Sequence, residues 1–205
     1  MLKNCFSMTD KKIEAFSLVE IGVVLLVVGI LYTAIFKGKD FIDVAKTHSV
    51  TNQIQQIQHS VQQYMEQYHA IPGDDPGAGR FGDTATAGNG DENLSTDEMS
   101  NFWIHLKEAG FSSTGTAPSS KFGGTYTIEK DESKVFWIVL SEKDQGALLT
   151  PKQAQQIKLK FNLSDENIKI LNGSGNQNCV VENGQIDIKS HVYACILKVR
   201  LMPVN

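Results

Sequence analysis

The sequence predicts an α+β fold. One long N-terminal helix, its first half transmembrane, is laid on an antiparallel β-sheet that ends in a C-terminal disulfide loop. Three observations carry this reading. Residues 16–36 form an apolar run, and the stretch after it repeats apolar residues at spacings of four and three. Segments rich in β-branched and aromatic residues follow residue 124 and are separated by turn residues. Two cysteines, Cys179 and Cys195, stand 16 positions apart near the C-terminus. A chain of 205 residues, 41% hydrophobic and 20% charged, has room for one domain and an extra segment. The net charge of −4, without a lysine or arginine stripe, gives no indication of a nucleic-acid partner.

Within residues 16–36 the sole charge is Glu20. Twenty-one helical residues span roughly 30 Å, the hydrocarbon thickness of a bilayer. A buried helix of a soluble protein does not fit, because Val23 to Ile30 is apolar on every side. Lys3, Lys11 and Lys12 precede the run and orient its N-terminus toward the cytoplasm. By pattern alone a cleaved secretory signal stays open, with Ala34 as a small residue for its peptidase. That alternative leaves Glu20 unexplained, since a carboxylate near the bilayer centre costs about 2.5–3.5 kcal/mol.

The residues "AFSLVE" from Ala15 to Glu20 resemble the cleavage and methylation motif of type IV prepilins and of the pseudopilins of type II secretion. The resemblance implies a cut between Ala15 and Phe16, N-methylation of Phe16, and an assembly role for Glu20, the acid four positions on. Ala15 stands where that family favours glycine, and Glu14 is an acidic neighbour. The implied organisation is a leader over 1–15, a transmembrane and assembly half-helix over 16–36, an amphipathic half over 37–71, and a globular domain over 72–205. Loss of the leader removes a net +1 and Cys5, leaving 190 residues at −5. The implied partners are other pilin subunits in a homo-polymer or mixed filament, a prepilin peptidase and inner-membrane assembly machinery. The implied location is the inner membrane as a single pass, then a periplasmic or extracellular filament; no enzyme activity and no cofactor are implied. Cleavage creates an ammonium at Phe16 in apolar surroundings. Glu20 of an adjacent subunit then neutralises it and sets register; the bland alternative is that Glu20 snorkels to the interface. The contrasting functional reading is an uncleaved, membrane-anchored periplasmic binding or enzymatic domain.

Beyond the membrane the helix continues. Val50, Ile54, Ile57, Val61, Tyr64, Tyr68 and Ile71 make one apolar stripe, with seven glutamines between Gln53 and Gln67 mostly on the polar side. Pro72-Gly73 ends it, and residues 72–94 read as a solvated Gly/Asp loop in which Asp74 and Asp75 are turn residues. Ser95-x-x-Glu98 is a capping box opening a helix with Met99, Phe102, Trp103 and Leu106 on one face, closed by Gly110. "TYTIEK" and "KVFWIVLS" are strands joined near Asp131 to Ser133, the second central because it is continuously apolar. Thr150-Pro151-Lys152-Gln153 caps a short helix to about Lys160, with Ala154, Ile157 and Phe161 inward. Asn183-Gly184 signals a hairpin between "CVVE" and "QIDI", and "HVYACILKVRL" is the last strand. A Cys179–Cys195 disulfide suits an exported domain and is worth roughly 3 kcal/mol in the chain-entropy model; two buried free thiols are the alternative.

Other motifs carry less. Gly77-x-Gly79-x-x-Gly82 has neither a strand before it nor a helix after it. Asn89, Asp91, Asn93, Ser95 and Asp97 alternate oxygen-bearing side chains and are weak calcium candidates, because Leu94 and Ser100 occupy the positions where an EF-hand loop needs Gly and Glu. His48, His59 and His69 suit a solvated helix face, and neither His105 nor His191 completes a metal-ligand spacing. Glycosylation sequons occur at Asn93, Asn162 and Asn172.

Overall fold

The computed structural model describes residues 17–161, 166–174, 179–180 and 185–202, the side chains at 36, 37, 39, 40 and 144 excepted. The chain divides into two compact units, residues 1–42 and 43–205. The first helix, α1 (Leu18–Tyr68), contributes to both. The amphipathic stretch that follows Ile42 therefore belongs to the globular unit. Asn183 and Gly184 lie outside the described residues.

In the second unit α1 is followed by a short 3-10 turn (Ala78–Phe81), α2 (Thr96–Glu108), β1 (Thr125–Lys130), β2 (Phe136–Ser141), α3 (Pro151–Phe161), β3 (Ile168–Asn172) and β4 (Cys195–Arg200). The four strands form one antiparallel sheet in the order β1-β2-β4-β3. The central strand β2 is buried along its whole length, as its unbroken apolar composition predicts. Ile138 faces Ile128 on one side and Val199 on the other, and Leu140 faces Tyr126 and Leu197. These residues join Val50, Ile54, Ile57, Val61 and Tyr64 of α1, and Phe102 and Leu106 of α2, in a single core. Fully burying each such side chain contributes about 1.5–3 kcal/mol before entropy is counted.

The polar side of α1 is less uniform than its glutamine content suggests. Gln53 donates to the Ser119 carbonyl and accepts from the Tyr126 hydroxyl at 2.9 Å, and Gln58 donates to the Arg200 carbonyl at 2.7 Å. Thr47 and Thr51 are buried, each hydroxyl donating to the carbonyl four residues earlier on α1. His48, His59 and His69 are exposed, His48 meeting the Lys160 ammonium.

The α1 terminus comes earlier than Pro72-Gly73. His69 adopts φ +53°, a left-handed conformation that stops the helix at Tyr68 while its N–H still reaches the Met65 carbonyl. Gly73 follows at φ +91°, and a Cβ there would lie 2.5 Å from the Glu98 carbonyl oxygen. Only glycine fits both the angle and the approach.

Both capping boxes form. Glu98 accepts from Ser95 N–H at 2.8 Å, and Gln153 from Thr150 N–H at 3.0 Å. In the β1–β2 turn Asp131 accepts from the amides of Ser133 and Val135, while its other oxygen accepts from Trp137 Nε1. The last strand is shorter than "HVYACILKVRL" suggests and starts at Cys195. Its partner β3, in "NIKILN", is an element the sequence reading does not identify. Among the described residues of "CVVE" and "QIDI", Val180 and Ile186 form an isolated antiparallel bridge. Cys179 and Cys195 form a disulfide, with Cα atoms 5.1 Å apart. Asn172 Oδ1 accepts from the amides of Cys179 and Val180, holding the far side of that link against β3.

Residues 72–94 are not a solvated loop throughout. Asp74 and Asp75 are each 2% exposed. Asp74 accepts from Gly90 N–H at 2.6 Å; Asp75 accepts from Gly77 N–H and the Tyr64 hydroxyl and pairs with Arg80. The Arg80 guanidinium lies over the rings of Tyr68 and Phe81. His105, fully buried, completes the attachment: Nδ1 accepts from Gly73 N–H and Nε2–H donates to the Thr86 carbonyl, both at 2.9 Å. Turn chemistry places two acids before Pro76, but burial decides what they do.

Burial holds the His105 imidazole below its ordinary value, outweighing the Thr86 carbonyl and the nearby Asp75. The unfolded chain therefore takes up this proton at a higher pH than the folded chain. The stabilisation is complete above about pH 6.5 and is lost as pH falls from there through the folded value. Asp75 and Glu98 are held low by hydrogen bonds (burial opposes this at Asp75), so they act at more acidic pH. We expect urea denaturation of the full chain in detergent to show a lower midpoint at pH 5 than at pH 7.5. His105→Ala should cost about 1–3 kcal/mol at pH 7.5 by stranding the Gly73 amide and should flatten that pH dependence. Equal midpoints for variant and wild type would refute the clamp.

Candidate functional site

The described part of the first unit is the start of α1. Ser17 precedes the helix and meets two amides of its first turn: Val19 N–H donates to its Oγ at 3.3 Å and Ile21 N–H to its carbonyl at 3.2 Å. Every residue from Ser17 to Ile35 is exposed. The apolar side chains therefore point outward all round the helix, from Leu18, 91% exposed, to Ile35. Thr33 adds no open polar group, because its hydroxyl donates to the Ile30 carbonyl at 2.8 Å.

Such a surface is unstable in water. Soluble monomers rarely expose contiguous apolar patches beyond a few hundred Å². Leu18–Ile35 is, by length and composition, the one helix segment among the described residues able to cross a membrane. Glu20 is exposed in the first turn, where the helix dipole favours a negative charge. It interrupts an apolar surface at a single point, and that is what makes it a candidate functional group. Ala15 and Phe16, the other two positions of the motif, lie outside the described residues.

The calcium candidates lie in one loop, where their side chains bond to its backbone. Asn89 Oδ1 accepts from Asp91 N–H and Asp91 Oδ1 from Asn93 N–H, both at 2.9 Å. Asn93 Oδ1 accepts from Lys130. Their oxygens thus serve successive turns of the chain, and among the described residues no three His, Cys, Asp or Glu side chains are grouped to hold a metal ion. An open cleft of about 1100 Å³ lies beside this loop, bordered by Tyr68, Asp74, Arg80, Asp91, Lys130 and Arg200. Its charges are balanced, and Asp75 and Arg80 at its wall are committed to each other.

Sequence reasoning missed the Tyr64–Asp75–Arg80 cluster and the His105 clamp. The usable signal was the density of polar residues with no surface role, "GDDP" with Arg80 five positions after Asp75. A lone histidine among Trp103 and Leu106 on a core-facing helix was the second.

No protein-family model matches the chain, and no curated protein matches it. Among solved structures the chain is similar to the major type IV pilin PilA1 from Clostridium difficile, at 17% sequence identity and a TM-score of 0.45, over 78% of this chain and 97% of that one.

A lysine in the middle of the apolar segment tests whether it lies in hydrocarbon. Val27→Lys is expected to cost about 2.5–3.5 kcal/mol of insertion free energy and to release much of the protein from membranes under an alkaline carbonate wash. Val27→Leu should stay bound. Equal retention of both variants would place Val27 outside the bilayer core.

Proposed function

We propose that the chain is a type IV pilin-like structural subunit, held in the inner membrane by residues 16–36 and assembled through that segment into a pilus or pseudopilus. A prepilin peptidase cuts between Ala15 and Phe16, and Phe16 is then N-methylated. The observation that carries this reading is an all-round exposed apolar helix interrupted by the single acid Glu20, four positions beyond Phe16.

The physics of assembly follows. While subunits are separate, acyl chains cover the apolar helix. In a fibre, neighbouring helices cover it instead, so its surface is not returned to water. The α-ammonium of Phe16, which methylation leaves charged, and the Glu20 carboxylate each pay a desolvation cost in that setting. Pairing between subunits offsets both costs, and a subunit in the wrong register leaves two unpaired charges in apolar surroundings. The pair acts on register more than on raw stability. The globular unit then faces the periplasm or the exterior, where an oxidising environment suits the Cys179–Cys195 link.

Two measurements test this. Mass spectrometry of the purified protein is expected to find N-methyl-Phe16 as the first residue. An intact Met1 in the mature protein would favour an uncleaved, membrane-anchored domain, and fibres whose protomers retain residues 1–15 would overturn the assembly mechanism. Glu20→Leu is expected to leave membrane retention unchanged and to lower fibre yield by at least about tenfold, since one buried charge then lacks its partner. Normal fibres from Glu20→Leu would remove the register role.

A further inference from the structure

We propose that Asn93 is an acceptor for an N-linked oligosaccharide, transferred from an isoprenoid-diphosphate donor by an oligosaccharyltransferase outside the cytoplasm. The proposal rests on the reading that places the globular unit on that side of the membrane. Three sequons compete for this role, at Asn93, Asn162 and Asn172. They differ two positions upstream, where Asn93 has Asp91, Asn162 has Lys160 and Asn172 has Ile170. A carboxylate there gives the transferring enzyme a charge to pair with beside the reacting amide; a lysine or isoleucine does not.

The folded structure separates the sites a second time. Asn172 belongs to β3, opposite Cys195, and its Oδ1 holds the amides of Cys179 and Val180. Gly173 beside it is buried, and its amide donates to the Ala194 carbonyl. Asn162 lies outside the described residues. Asn93 is exposed in the loop before α2, and the fold uses only its Oδ1, which accepts from Lys130, and its backbone amide, which donates to Asp91. The carboxamide nitrogen, the atom that a glycan occupies, makes neither bond. A bulky, solvated substituent is therefore accommodated there without loss of a contact.

The chemistry balances. The Asn93 carboxamide nitrogen attacks the anomeric carbon of the donor sugar and forms the C–N bond. The sugar C–O bond to the diphosphate breaks, the diphosphate leaves with the electron pair, and the proton lost from nitrogen ends on it. The structure also fixes the timing. Leu94 is buried and Ser95, whose hydroxyl the sequon requires, caps α2 by accepting from Glu98 N–H. Transfer thus precedes the docking of α2, and the finished fold is a poor acceptor.

The test has two arms. In the first, detergent-solubilised full chain, urea-unfolded and then diluted, is incubated with a purified bacterial oligosaccharyltransferase and its lipid-linked oligosaccharide, and glycopeptides are mapped by mass spectrometry. One glycan on Asn93 is expected, absent from Asn93→Gln, reduced at least tenfold in Asp91→Ala, and kept in Ser95→Thr and Asn172→Gln. Folded chain should be modified at least tenfold less. A bare Asn93 beside a modified control peptide, or a glycan on Asn162 or Asn172 instead, would overturn the proposal. In the second arm the full chain and the same enzyme are co-expressed in cells. Modification in vitro without modification in cells, with the globular unit shielded from external protease, would locate the failure in the membrane orientation and leave the acceptor assignment standing.

Discussion

Val50, Ile54, Ile57, Val61 and Tyr64 exchange water for the inner face of the sheet, and this contact decides where the rest of the second unit is placed. The five residues repeat at spacings of four and three, so they stay on one side of α1 for four turns. β2, buried along its whole length, is apolar on both faces up to its last residue, Ser141. Whatever polarity falls near the seam then has to find partners inside the protein. Gln53 and Gln58 reach loop and strand-end carbonyls, and Thr47 and Thr51 return their hydroxyls to α1 itself. None of the buried side-chain polar atoms among the described residues is left without a hydrogen bond.

The same helix obeys a different rule over Leu18–Ile35. There the side chains are apolar on all sides and exposed, and the backbone hydrogen bonds are closed within the helix. This combination is stable in hydrocarbon and among like helices, and unstable in water. A single helix thus carries two instructions, one for the medium around it and one for the sheet. Glu20 is the one residue of the first part that neither instruction explains, and the proposed assembly chemistry starts from that residue.

How much of this was legible in the residues depends on whether the signal was periodic. The α1 stripe, the two capping boxes and the central position of β2 follow from local spacing and appear where spacing puts them. Boundaries were less legible: His69 ends α1 before Pro72, because a left-handed turn is available to a residue that carries no sequence mark for it. β3 is hard to read although turn residues flank it, Ser164-Asp165 before and Gly173-Ser174 after: "NIKILN" holds only three apolar residues and gains its identity from pairing with β4. Asp74, Asp75 and His105 carry no local mark of their burial. Their burial is produced by contacts between Tyr64, Arg80, Thr86 and α2 that are distant in sequence, and no local pattern encodes them. For the candidate site, Glu20 and the span were legible because both rest on composition; their assembly partners are not properties of one chain.

The Cys179–Cys195 bridge has a consequence for when the fold reaches its final form. Leu148, Leu149 and Ala194 tie β4 to the chain before α3 through backbone bonds that do not involve sulfur. Among the described residues beyond Asn172, Cys179 and Val180 are held by the Asn172 carboxamide, by the bridge between Val180 and Ile186, by packing against the core and by the covalent link. In a reducing compartment the thiols stay unlinked, and this margin of the sheet has only non-covalent contacts to hold it. Oxidation closes it. The C-terminal edge therefore completes its fold only where its two thiols can be oxidised.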